Sequence, residues 1–397
     1  MQEKIAITAI SSFSPLGCDS KLIWAKYLQP NTLISKKLIG TKETYVAALP
    51  QDLMEMVEQL KQSENKYKAL DPSVLYAILA SRQAVKNAGW GKNDVFGINI
   101  GSSRGATTLF EKHHSQFLKN GKTSALSSPT TTLGNISSWV SHDLKATGPD
   151  ISHSVTCSTA LHSLLNGVAW LKAGMATKFL VGGSEAPLTE FTIAQMQALK
   201  IYGNIEQLFP CSALDLEKKQ NSMVLGEGAA VACLEIVQNE NVLAYIAGIG
   251  YATDILEHNI SISTEAKCFQ DSMKMALQNI DLASIDAIVM HAPGTLQGDF
   301  SEYKAIEKVF GENKPMLTTN KWKIGHTFGS SGMLSIEMAI LMMQNNNFIP
   351  VPFSKPQPIK KEINTVLINA VGFGGNAVSV LLSKGLGTYS YVLQYLK

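Results

Sequence analysis

Short runs rich in Val and Ile alternate with amphipathic stretches along the whole chain, and no other feature limits its fold so strongly. The runs are Ile5–Ile10, Val95–Ile100, Phe179–Gly182, Ala229–Leu234, Val242–Ile249, Ala287–Met290, Val366–Ile368 and Val378–Leu382. Their short length and β-branched content suit buried strands. Between them, Asp71-Pro72 reads as an N-cap followed by proline at the first helical position. Val74, Ala77, Ile78, Ala80 and Ala84 continue at helical spacing until Gly89. Further helices are expected at about Ser158–Ala173, Glu302–Phe310 and Met333–Gln344. Such alternation predicts an α/β fold with largely parallel sheets. Residues 31–66 are polar and Lys-rich and read as a surface insertion. A fresh strand after Glu235–Asn241 divides the chain near residue 240, into 1–240 and 241–397. No short-period repeat is visible, and two diverged halves are compatible with the pattern without being displayed by it.

Composition narrows the function classes. The 397 residues are 45% hydrophobic and only 17% charged, against a usual charged share of about 25%. A large core accounts for that, and so does an extensive obligate interface. Net charge is +2, with Arg82 and Arg104 the only arginines and no Lys run longer than a pair. Nucleic-acid readers need basic clusters and arginine forks, so that class is excluded. Cys18, Cys157, Cys211, Cys233 and Cys268 are widely spaced and form no CxxC, which argues against a disulfide framework or a zinc site and for a reducing cytoplasm. Ile5–Ile10 is too short for a signal h-region, and no uncharged apolar run reaches the roughly 18 residues of a membrane span.

A few residues stand where chemistry is possible. Cys157, in Ser154-Val155-Thr156-Cys157-Ser158-Thr159-Ala160, directly precedes a helix. The positive end of the helix dipole and its unpaired N–H groups favour thiolate, the nucleophilic form; a buried structural cysteine is the alternative from position alone. His291, in His291-Ala292-Pro293-Gly294-Thr295, follows the strand Ala287–Met290, and His326 lies among Gly325, Gly329 and Gly332. The end of a parallel strand is where α/β folds place ligands. Gly226-Glu227-Gly228 and Gly372-Phe373-Gly374-Gly375-Asn376 match neither dinucleotide nor nucleotide fingerprints.

In this order the segments resemble the elongating β-ketoacyl-acyl-carrier-protein synthases of the thiolase superfamily. The likeness runs from Ile7-Thr8 and Pro15-Leu16-Gly17 through Gly101-Ser102, the Cys157 segment, Leu180–Ala186 and Gly226–Ala229, to His291–Thr295 with Gly298, Asp299 and Glu302, Lys321–Gly332, Asn369 and Gly372–Gly375. The resemblance implies a thiolase-like fold: two similar βαβαβ halves in a five-layered α/β/α/β/α arrangement, the first carrying the cysteine and the second both histidines. It implies a decarboxylative Claisen condensation, with Cys157 taking an acyl group and then meeting a malonyl thioester. His291 and His326 correspond to the two histidines that stabilise the enolate. Lys321 corresponds to a lysine beside them, and Glu302 to the acid usually paired with that lysine. Phe373 corresponds to the gating aromatic whose N–H joins that of Cys157 in an oxyanion site. Thr295 corresponds to a pantetheine contact, and Phe110 falls in a segment lining the acyl pocket. The implied partners are an acyl carrier protein, which brings the phosphopantetheine, and a second subunit, identical or related. No resident cofactor or metal is implied.

The chain also departs from the family pattern. Pro293 replaces a usual Thr, the closing glycine motif lacks the Thr before Asn376, the stretch from Asp215 to Gly226 is slightly longer, and Ser335 replaces a Glu, with Glu337 nearby. These point to polyketide, polyene or pigment synthesis, with housekeeping fatty-acid elongation and a non-catalytic chain-length-factor role as the alternatives. A thiolase would need a second catalytic cysteine late in the chain, and none follows Cys268. Initiating synthases carry Asn in place of the second histidine. A cysteine hydrolase would leave that histidine unexplained.

Overall fold

The computed structural model describes residues 4–133, 135–204, 206–237, 242–255, 263, 265–354 and 361–385. The division proposed at 240/241 lies outside these residues. The N-terminal region contributes β1 (Lys4–Phe13), β2 (Ser35–Ile39), β3 (Lys42–Ala47), β4 (Gly97–Gly101), β5 (Asp150–Ile151), β6 (Lys178–Glu185), β7 (Leu225–Gly226) and β8 (Gly228–Val237). The C-terminal region contributes β9 (Ala244–Thr253), β10 (Ala287–Val289), β11 (Met316–Thr318), β12 (Thr365–Gly372) and β13 (Asn376–Ser383).

Ten of these strands form one sheet in the order β11-β10-β12-β13-β9-β1-β8-β6-β4-β5. Read from either edge to the middle, the pattern is the same: a pair of parallel pairings on the outside, then a pair of antiparallel ones. The two regions meet where β1 runs antiparallel to β9, through Ala6 opposite Tyr245 and Ile7 opposite Ala244. The expectation of largely parallel sheets is therefore corrected: the sheet is mixed. One cause is local. Only Phe373, Gly374 and Gly375 separate β12 from β13, and so short a turn joins antiparallel neighbours only. Gly374 and Gly375 adopt φ of 96° and 71°, which a side chain disfavours.

The twofold layout creates a central helical layer. Helices Thr159–Lys172 and Ser331–Asn345 lie within one apolar cluster that also takes residues from β1, β6, β8, β9, β12 and β13. From Ser331 to Met343 every residue of the second helix is buried, the signature of a helix covered on all sides. A second cluster joins helix Pro72–Asn87 to the other face of β4, β6 and β8, and a third joins Lys267–Ala276 and Leu296–Phe310 to the other face of β10, β12 and β13. The layers thus run helix, half-sheet, helix, half-sheet, helix, the two halves being parts of the one ten-stranded sheet.

Local signals explain most boundaries. Asp71 caps its helix by accepting from Ser73 N at 3.0 Å, with Pro72 at the first position. One expectation needs correction. The third expected helix begins at Leu296, because Thr295 caps it by accepting from Gly298 N at 3.1 Å. Residues 31–66, expected as a surface insertion, hold the β2–β3 hairpin and helix Gln51–Ser63, whose Leu53, Val57 and Leu60 are buried on one face. Among the described residues no helix is long and apolar enough to cross a membrane.

Leu164, fully buried in the central cluster between the two halves of the sheet, tests the central layer. Leu164→Ala should lower the unfolding free energy by about 2–5 kcal/mol, read from the urea midpoint. Leu22→Ala, at a 62% exposed site, should stay within ~0.5 kcal/mol.

Candidate active site

Cys157 sits in a tight turn between the sheet and the central helix. Thr156 takes φ of 47°, an unfavourable value for a β-branched residue. Hydrogen bonds hold the turn: Thr159 Oγ1 donates to Thr156 O at 2.6 Å, Val155 N donates to Thr159 Oγ1 at 2.9 Å, and Ser158 Oγ donates to Val155 O at 2.9 Å. The sulfur is buried in an apolar cluster with Val46, Ile193, Met196, Met223, Leu225 and Phe328. That burial corrects the expectation of a ready thiolate. Desolvation first, and Glu185 second, push the thiol up to about 12, while Lys321 and Arg104 pull it the other way. In the resting protein the group is a neutral thiol; water exclusion outweighs the helix tip.

The C-terminal region brings two imidazoles to the same place. His291 and His326 meet edge to face, with ring centroids 5.2 Å apart, and His326 lies 5.5 Å from Phe328 of the cysteine's cluster. His326 is held by its backbone: its N donates to Val224 O at 2.7 Å, and Gly226 N donates to its carbonyl at 3.1 Å. Gly226 must be glycine here, since a Cβ would stand 2.1 Å from Ile324 O. Both rings are buried, and neither Nδ1 has a hydrogen-bond partner among the described residues. Burial and then Lys321 push His326 down to about 3 and His291 well below its usual value. Both are therefore neutral near pH 7, each with one N–H to donate.

Lys321 is nearly fully buried at the start of the short helix Lys321–Ile324. Burial pushes its ammonium down to about 8, against the pull of Glu302 and Cys157. The expected Lys321–Glu302 ion pair is not formed. Lys321 Nζ reaches Asn320 Oδ1 at 3.5 Å, whereas Glu302 grips the histidine turn. It accepts from His291 N at 3.0 Å, Ala292 N at 2.9 Å and Asn369 Nδ2 at 3.2 Å. A carboxylate that receives three N–H groups is better used as a backbone clamp than as a lysine's partner, though burial raises it to about 7.

The remaining expected residues divide. Phe373 lies in the β12–β13 turn beside the cysteine turn: its carbonyl accepts from Thr156 Oγ1 at 3.4 Å. Gly372 makes that approach possible, since a Cβ there would fall 1.9 Å from Thr156 Oγ1. The hydroxyl oxygen of Thr295 accepts the capping bond of its helix, which leaves its O–H free to donate. Phe110 is not brought to Cys157 within this chain; it is 61% exposed on helix Thr107–Asn120, stacked on His114. Glu185 was missed as a site residue, its only signal being its place at the end of the Gly182-Gly183-Ser184 run. Fully buried, it accepts from Ser103 N and, at 3.0 Å, from Gly329 N, tying the turn after β4 to the segment after His326. Among the described residues no group of three or more His, Cys, Asp or Glu side chains could hold a metal ion.

Known proteins match this arrangement. The family described as Beta-ketoacyl synthase, N-terminal domain matches residues 2–239, and Beta-ketoacyl synthase, C-terminal domain matches residues 243–352. The chain is similar to the 3-oxoacyl-[acyl-carrier-protein] synthase 2 of Staphylococcus aureus (strain COL), 27% identical over 406 residues that cover 95% of this chain and 98% of that protein. It is similar to the protein of the same name in Coxiella burnetii (strain RSA 493 / Nine Mile phase I), 26% identical over 412 residues that cover 96% and 99%. Among solved structures, a type II PKS ketosynthase bound to a hexaketide, in complex with its acyl-carrier protein, superposes with a TM-score of 0.83 at 18% identity, over 96% of this chain and 100% of that one. A beta-ketoacyl synthase from Burkholderia phymatum STM815 superposes with a TM-score of 0.80 at 21% identity, over 96% and 99%. At such identities these likenesses speak for the fold; the family matches cover both regions of the chain, and this protein belongs to the beta-ketoacyl synthase family.

Proposed function

We propose that this protein joins an acyl group to a malonyl unit by decarboxylative Claisen condensation. The carrying observation is a buried thiol at a helix tip whose apolar cluster includes Phe328, with His326 packed on Phe328, His291 on His326, and the Lys321 charge acting on all three groups. Cys157 sulfur attacks the acyl thioester carbonyl, the pantetheine thiol departs, and the cysteine's proton ends on it. The N–H groups of Cys157 and Phe373 hold the oxyanion of that step. Malonyl thioester then loses carbon dioxide. The electron pair left behind is an enolate, whose oxygen receives N–H donation from His291 and His326, worth a few kcal/mol per donor. Its carbon attacks the acyl-cysteine, and the thiolate leaves. Neutral imidazoles suit this role, because they keep an N–H without bringing a proton that would quench the carbanion. Lys321 supplies positive charge, and Glu302 fixes the histidine turn.

The segments 1–240 and 241–397 then act as cysteine-bearing and histidine-bearing halves. An acyl carrier protein delivers both thioesters, so the scheme needs no resident cofactor, and Thr295 stands at the pantetheine end. Five free cysteines suit a reducing cytoplasm. The departures at Pro293, Ser335 and the closing glycine motif favour polyketide, polyene or pigment chains over housekeeping fatty acids. Phe110 faces outward with Phe117 and Leu118 on one helix. We assign that face to a second subunit, identical or related, whose acyl pocket Phe110 would complete.

Three measurements test this reading. Intact-mass analysis after incubation with acyl-carrier protein should show one acyl adduct on the wild type and none on Cys157→Ala; an adduct on the variant would overturn the nucleophile. Carbon dioxide release from malonyl-carrier protein should fall as pH rises through about 8, where Lys321 loses its charge. Lys321→Met should be slow throughout and lack that limb; an unchanged limb would remove Lys321 from the role. Phe110→Ala should lengthen the accepted acyl chains by mass profiling. An unchanged profile in an assembled dimer would place Phe110 outside the pocket.

A further inference from the structure

The segment between β6 and β7 does more than connect strands. It reaches across to the turn that carries His291, and it does so with a buried charge. Lys218 Nζ lies 2.6 Å from Asp299 Oδ2, with the side chains 6% and 0% exposed. Lys218 also donates to Asp215 O at 3.0 Å. Asp299 uses both of its oxygens elsewhere too: Oδ1 accepts from Gly294 N at 2.9 Å and Oδ2 from Leu214 N at 2.8 Å. On its other side, Gly294 O accepts from Ser222 N at 2.8 Å and Ser222 Oγ at 2.9 Å. Asn221 Oδ1 accepts from Leu296 N at 2.8 Å.

Gly294 is thus held at its N–H and at its carbonyl by one stretch of chain, directly or through Asp299. It can sit there because it lacks a side chain. Its φ is 92°, and a Cβ would lie 3.1 Å from Cys211 Sγ and 3.3 Å from the Met223 backbone. Glu302 holds the other end of the same turn, at His291 and Ala292.

We propose that Lys218 is a positioning residue for His291: by neutralising Asp299 it keeps that carboxylate ionised and fastened to Gly294, and so fixes the imidazole used for decarboxylation. The chemistry favours this over a purely structural ion pair. Burial by itself raises the Asp299 carboxyl, and Lys218 opposes the rise. A protonated Asp299 would turn one acceptor into a donor, facing either Gly294 N or Leu214 N, and would lose its hold on one of them. The stretch from Asp215 to Gly226 delivers both the lysine and the Ser222 contacts to Gly294. The inference rests on the condensing function, because it assigns His291 to the malonyl step; acyl transfer to Cys157 does not pass through Gly294.

The test reads the two half-reactions and the clamp separately, on the full-length protein. In Lys218→Met, kcat for carbon dioxide release from malonyl-carrier protein should fall about tenfold to a hundredfold, as a small misplacement of a reacting group costs. KM and the acylation rate of Cys157 should each stay within about twofold, with Lys218→Arg recovering most of the loss. Amide exchange at Gly294 should quicken at least about tenfold in Lys218→Met and much less in Lys218→Arg. Equal loss of both half-reactions, loss of neither, or unchanged exchange would overturn the proposal. If Lys218→Met does not fold, Lys218→Gln, which keeps a donor without the charge, is read by the same criteria. A wild type that neither takes an acyl group nor releases carbon dioxide would sink the condensing function instead, and the clamp would then stand or fall on exchange.

Discussion

A lysine ammonium kept out of water organises this site. Lys321 is almost wholly buried, and no carboxylate among the described residues pairs with it. A charge so placed acts over a long distance, because little solvent screens it. Burial keeps both imidazoles neutral and Lys321 adds to that effect, while the same charge opposes the burial that keeps the Cys157 sulfur protonated. The groups do not titrate independently: a proton leaving Lys321 would ease protonation of the histidines and hinder ionisation of the cysteine. The site is one electrostatic unit assembled from distant stretches of the chain.

The fold supplies that assembly through its internal symmetry. Two five-strand patterns share the β1–β9 seam, and the central helices pack between them. Cys157 starts one of those helices, and the segment holding His326 leads into the other. The short strand β7 pairs on one side with β3 and bridges on the other to His326. A residue of the C-terminal region is thereby stitched to a small sheet of the N-terminal one.

Much of this was legible in the residues. The Val- and Ile-rich runs all fall on strands, and the Asp71-Pro72 signal starts a helix where a capped terminus requires one. The cysteine and the two histidines stand out by their motifs, and Phe328 links them in the structure, sharing the cysteine's cluster and packing on His326, which meets His291. Other features were hidden for physical reasons. The symmetry of the two regions lives in pairing order, which diverged side chains do not display. The helix Gln51–Ser63 was masked by its charged outer face, although Leu53, Val57 and Leu60 recur at helical spacing. The ionisation of Cys157 depends on what surrounds it in space, which its position before a helix does not report. Glu302 matches an acid that pairs with lysine, yet its oxygens meet backbone N–H groups, because the turn at His291 leaves those donors buried and in need of an acceptor.

The contact between Gly372 and the Thr156 hydroxyl carries a mechanical consequence. With no room for even a methyl group between them, the hairpin end that bears Phe373 and the bend that presents the sulfur behave as meshed teeth. A displacement of that hairpin end therefore presses on the strained threonine next to the thiol. The hairpin and the sulfur's bend are geared to one another, without any signal having to travel through the core.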